Sequence, residues 1–203
     1  MCPPIHGRPR PPSAVGFAGP CRGEPVLRIG GCEEGGGGSG DGSRAVRRSA
    51  DQLRLARGRD GAPLLRGDAT RLPFAAGTFA TVTALWVSTD AGDFAGLVRE
   101  AARVPRPGGM LLFYGVHPCF NGPHIEPRPD GATVIHPTYR IRGRHGRSPW
   151  WREGGLRDRA GMSHVPLPGL VNAFIDAGLN IDRVTEPRED PIPCALAVRA
   201  FRA

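Results

Sequence analysis

The chain has 203 residues, enough for one domain with its own core, and 27 basic against 19 acidic side chains give a net charge of +8. Every basic residue is Arg and none is Lys. Phosphate-binding surfaces draw on both types, so the charge reads as compositional bias, and nucleic acid is not an expected partner.

Five Cys without CxxC or CxxH spacing argue against a disulfide framework and a zinc site, so no metal is expected. The first residues hold no apolar signal core, and no apolar run reaches the roughly 18 residues that span a bilayer. A soluble, cytoplasmic protein without a membrane partner is the expectation.

Residues 1–24 are rich in Pro, Gly and Arg without period and are expected to be a disordered tail. A domain is expected over 25–203. Pro25 to Gly31 reads as a short strand running into a Gly turn, and residues 35–43 are low in complexity. Ser49 opens a helix, with Gln52 at the capping-box position and Gly58 as its stop. Pro63 to Asp68 is a second short strand, and Phe79 to Val87 a third.

Asp93 caps the next helix, whose Phe94, Leu97, Val98, Ala101 and Val104 follow helical spacing. Pro105 and Pro107 end it, and Gly108-Gly109 turn the chain. Met110 to Val116 is apolar on both faces, the mark of a strand in a sheet interior. From His117 to Val165 the chain is polar and rich in Pro and Gly, a stretch too long for a bare connection and read as a lid or insertion. Pro166 to Leu179 is a helix, and two closing strands, Asn180 to Thr185 and Cys194 to Phe201, should pair antiparallel. Strands alternating with helices spell an α/β fold around a parallel sheet, whose ligands bind at the carboxyl ends of the strands.

The run Gly67-Asp68-Ala69-Thr70-Arg71-Leu72-Pro73-Phe74, the strand to Trp86, the helix ending Arg103-Val104-Pro105-Arg106-Pro107-Gly108-Gly109 and the strand after it resemble class I S-adenosylmethionine-dependent methyltransferases. The resemblance implies a Rossmann-like, mainly parallel twisted sheet with a C-terminal antiparallel strand pair. It also implies S-adenosylmethionine as cofactor and methyl transfer to a small-molecule acceptor. Gly30 and Gly31 would stand in the glycine-rich first loop. Asp68 would accept a hydrogen bond from the adenine amino group, with the Ala69 backbone beside it. Trp86 and Val87 would line the pocket. Two positions depart from the family pattern: Arg28 stands near the first glycines where an acid is usual, and Arg47 where an acid grips the ribose hydroxyls.

His117, at the head of the insertion, is the candidate general base; the alternative is that it caps a strand end. His124, Tyr139 and Trp150 would lie on the substrate side of the lid. His124, Glu126 and His136 lack the spacing of a metal site and read as solvated loop residues. Two other functions stay open. One is a catalytically inactive methyltransferase-like remnant whose N-terminal segment is out of frame or decayed; the other, resting on charge alone, is an RNA-binding or RNA-modifying protein.

Overall fold

The computed structural model describes residues 24–30, 44–47, 64–187 and 189–203. The tail before Glu24, Gly31 and the helix expected from Ser49 lie outside the described residues. Among the described residues, seven strands form the main sheet: β1 (Val26–Gly30), β2 (Arg44–Arg47), β3 (Leu64–Arg66), β4 (Phe79–Leu85), β5 (Pro105–Val116), β10 (Leu179–Thr185) and β11 (Ala195–Arg202). Their order across the sheet is β3-β2-β1-β4-β5-β11-β10. All neighbours run parallel except β11, which is antiparallel to both β5 and β10. The closing antiparallel pair is therefore as the sequence foretold.

The apolar pattern explains the order. β5 sits between β4 and β11, and Leu111 and Phe113 on it are fully buried. Two helices cover this side of the sheet. Helix α1 (Phe94–Arg103) starts where Asp93 accepts the Gly96 N–H at 2.8 Å, and it buries Phe94, Leu97, Val98 and Ala101. Helix α3 (Leu167–Asp176) buries Leu170, Ala173 and Phe174. Phe94, Phe113 and Phe174 meet with ring centroids 5.7–6.4 Å apart, which locks both helices to β5.

Three features differ from expectation. Arg44–Arg47, where the sequence marks no strand, forms β2. β1 lies between β2 and β4, with Leu27 and Ile29 in the core, and β2 bridges it to β3. The strand expected from Met110 starts at Pro105. Its pairing with β4 jumps from Phe79↔Pro105 to Thr81↔Met110, so Pro-Gly-Gly forms an irregular first stretch of strand. Glycine is needed at 109, because a Cβ there would lie 2.7 Å from the Arg106 carbonyl oxygen and 3.0 Å from that of Ala80.

Lastly, residues 117–165 are ordered into two ribbons. β6 (Ile125–Pro127) pairs with β7 (Thr133–Ile135), and β8 (Gly143–His145) pairs with β9 (Met162–His164). A 3-10 turn (Pro137–Arg140) and a short helix α2 (Leu156–Ala160) complete the insertion. No helix among the described residues is long and apolar enough to cross a membrane.

Candidate active site

The chain enters the sheet at β1, builds outward through β2 and β3, then returns to β4 on the other flank of β1. The connections diverge there, and the crevice at the carboxyl ends of β1 and β4 is the ligand position of such sheets. Gly30 and Leu85 pair at the last rung of these two strands. Arg47 closes β2 and pairs with Arg66, the last residue of β3. Asp68 follows β3 at the same edge, and Trp86 follows β4.

Trp86 is the one non-glycine residue with positive φ among the described residues, at 55°. A bulky side chain is uncommon in this region and persists only where neighbours enforce it. The enforcement comes from Tyr114: the Trp86 N–H donates to the Tyr114 carbonyl at 2.7 Å, and the rings meet edge to face. The next residues turn sharply, with the N–H groups of Asp90 and Ala91 donating to the Val87 carbonyl. Val87, Ser88 and Thr89 are buried.

Asp68 is exposed, and its carboxylate accepts from the Thr70 N–H at 2.9 Å and the Thr70 hydroxyl at 2.8 Å. Its carbonyl accepts from the Arg71 N–H. Residues 68–71 thus form one tight turn, with Ala69 packed against the core. A carboxylate and a side-chain-free strand end suit an adenine amine and a closely approaching ligand respectively. Arg47 supplies no acceptor.

His117 is buried, with both ring nitrogens engaged. Nδ1 accepts from the Cys119 N–H at 3.1 Å, which puts the proton on Nε2, 3.1 Å from a carboxylate oxygen of Glu186. Burial lowers its pKa, and Glu186 offsets part of that shift. Phe120 stacks on the ring, and the His117 N–H donates to the Cys194 carbonyl. These bonds pin the insertion to the end of β5.

Of the two insertion histidines read as solvated from the sequence, His136 is half-buried and His124 is not solvated at all. His124 is fully buried; its Nε2 donates to the Cys119 carbonyl at 3.1 Å. His164, which sequence reasoning did not single out, is buried too, and its Nε2 donates to the Tyr139 carbonyl at 2.8 Å. Burial holds its pKa down to about 4. Tyr139 packs against both rings, and its hydroxyl accepts from the Leu167 N–H. Burial raises the pKa of that hydroxyl.

Trp150 stacks at 3.9 Å on His136, which in turn bonds Glu126 at 2.7 Å. So the structure brings the rings of His124 and Tyr139 together, and links Trp150 to them through His136, whose N–H donates to the His124 carbonyl at 2.8 Å. The insertion docks on the turn after β4 through Ser163, whose N–H donates to the Thr89 carbonyl at 2.7 Å.

A family model described as a methyltransferase domain matches residues 40–113. A demethylmenaquinone methyltransferase of Mycolicibacterium gilvum is 50% identical over 50 residues, 25% of this chain. The match spans 22% of that relative's length. Among solved structures, an S-adenosylmethionine-dependent methyltransferase of Mesorhizobium loti superposes with a TM-score of 0.67 at 21% identity, covering 89% of this chain and 92% of its own. A Listeria monocytogenes protein described as a putative methyltransferase of the same kind gives 0.69 at 13% identity, covering 90% and 91%. The chain thus carries a stretch that matches a methyltransferase domain, and along most of its length it shares the fold of solved S-adenosylmethionine-dependent methyltransferases.

Proposed function

We propose that this chain binds S-adenosylmethionine at the carboxyl edge of β1–β4 and transfers its methyl group to a small-molecule acceptor. The observation that supports this reading is that Gly30, Asp68 and Trp86 stand at or just past the carboxyl ends of β1, β3 and β4, on the edge of the sheet where the connections diverge. Asp68 would receive the adenine amine, with the Ala69 backbone beside it. Gly30, with Gly31 after it, would admit the methionine portion, and Trp86 and Val87 would wall the pocket.

When bound, the cofactor supplies an activated sulfonium methyl. The protein's own share is alignment and exclusion of water, which need no dedicated base. His117 fits a positioning role, since its Nδ1 lone pair is taken by the Cys119 amide. The insertion over 117–165 serves as the lid that chooses the acceptor, anchored by Ser163 on Thr89. His124 and Tyr139 would shape its interior, with Trp150 beside His136. The curated relatives are named for demethylmenaquinone, so an aromatic quinol is the first acceptor to try.

Calorimetric titration with S-adenosylhomocysteine tests the reading. Saturable binding that Asp68→Ala removes supports it. Absence of heat at high ligand concentration supports the second reading, an inactive remnant, which Arg28 in β1 and Arg47 at the end of β2 favour.

A further inference from the structure

Residues 67–78 must return from the carboxyl end of β3 to the amino end of β4. The route runs back along seven residues of β4, about 23 Å at roughly 3.3 Å per residue, and sideways past β2 and β1, about 14 Å at roughly 4.8 Å per strand. A helix over this stretch would rise only about 18 Å, too little for the diagonal. The crossover therefore runs as a loop, without the internal hydrogen bonds a helix would have, and its backbone groups need outside partners.

Two side chains from the last turn of α1 supply them. Glu100 accepts from the Leu72 N–H at 2.8 Å. Arg103 donates to the Phe74 carbonyl at 2.9 Å and to the Leu72 carbonyl at 3.1 Å. The pair is joined by a two-pronged ion pair at 2.7 and 2.8 Å. Arg103 is itself tied at its carbonyl, which accepts from the Gly77 N–H and from the Arg202 guanidinium. Leu72, held this way and buried, directly follows the Asp68–Arg71 turn that sets the Asp68 carboxylate.

We infer that Glu100 and Arg103 are positioning residues for the cofactor: they fix the crossover at Leu72 and so aim Asp68 at the adenine. The inference rests on the proposed methyl-donor site and adds to it a residue pair remote from the ligand. Its consequence is selectivity. A clamp that aims one carboxylate at one amine controls discrimination between an adenine and a hypoxanthine ring, which lacks that amine. General damage to the sheet would weaken both ligands alike.

The test is titration of the full chain and of Glu100→Gln and Arg103→Lys with S-adenosylhomocysteine and S-inosylhomocysteine, alongside amide exchange at Leu72 without ligand. Loss of a well-placed acceptor should cut the preference for the adenosyl ligand about fivefold to tenfold in both variants. Asp68→Ala should abolish the preference, and adding Glu100→Gln to it should change affinity no further. Leu72 exchange should quicken in both single variants.

An unchanged preference in folded variants overturns the clamp while leaving the donor site standing. So does an equal loss for both ligands. Failure of the unaltered chain to bind either ligand removes the donor site, and the clamp's role with it, even if Leu72 exchange behaves as expected.

Discussion

Trp86 and Tyr114 grip one another twice, through a 2.7 Å backbone hydrogen bond and through rings whose centroids lie 4.9 Å apart at 89°. The grip maintains a left-handed backbone at Trp86 that an L-residue enters at a cost of roughly 1–2 kcal/mol. Replacing Trp86 by Ala removes the ring contact and keeps the backbone penalty; replacing it by Gly removes both. Trp86→Gly should therefore be the more stable of the two variants, by about 1 kcal/mol in urea unfolding, although it deletes more atoms. The reverse order would show that the left-handed turn is not held in the native state.

His117 separates two roles that sequence alone leaves open. A general base contributes about 10²–10⁴ in turnover, whereas a pin contributes to stability. Asn at 117 offers a carbonyl oxygen where Nδ1 now accepts the Cys119 amide. With any acceptor that gives turnover, His117→Asn should keep kcat within about threefold, against the far larger loss a base would show. His117→Leu should lower the unfolding midpoint. A collapse of kcat in a folded His117→Asn protein would restore His117 as the base.

His164 makes the insertion acid-sensitive. Its folded pKa of about 4 lies below the unfolded value of 6.5 because burial disfavours the charged ring. Between these values the unfolded chain binds the extra proton, so stability falls as pH drops from 6.5 towards 4 and changes no further below. The full span corresponds to roughly 3 kcal/mol at about 1.4 kcal/mol per pH unit. His124 and His117 are shifted in the same direction, also chiefly by burial. His164→Asn, which keeps a donor for the Tyr139 carbonyl, should flatten but not abolish the slope of urea midpoint between pH 7 and 5. An unaltered slope would mean that His164 titrates normally.

The sequence made the site's strand ends legible because strand ends are local events. Gly30 follows an apolar run, Asp68 follows another, and Trp86 ends the Thr- and Val-rich third. The interior place of β5 was legible for the same reason, since both its faces are apolar. Arg44–Arg47 escaped, because four residues between glycine-rich and Arg-rich flanks carry too little alternation to mark a strand. Only pairing with Val26–Gly30 and Leu64–Arg66 makes it one.

His124 was misread as solvated, and His164 was passed over, for a related reason. His164 finds the Tyr139 carbonyl 25 positions away, and no local pattern announces such a partner. Glu100 and Arg103 had a visible signal in their i, i+3 spacing. Their purpose depended on Leu72 and Phe74, at 28 and 29 positions' distance from them respectively.

Arg47 supplies the sharpest test of how far the cofactor edge has drifted. Backbone pairing fixes it as the last residue of β2, one strand from Gly30 and level with Arg66. An acid at this edge would accept hydrogen bonds from ribose hydroxyls, each charge-assisted bond being worth about 1.5–3 kcal/mol. Arg can only donate, and it would bring a positive charge towards the proposed position of a cofactor whose sulfonium is also positive. Arg47→Glu should therefore tighten binding of S-adenosylhomocysteine by about tenfold or more, and binding of the charged S-adenosylmethionine by a larger factor. The second ligand separates the two causes, since added hydrogen bonds help both while removed repulsion helps only the sulfonium. If Arg47→Glu leaves both affinities where they were, the end of β2 does not face the ribose, and the adenosyl group is held by Asp68 and the strand ends of β1 and β4 alone.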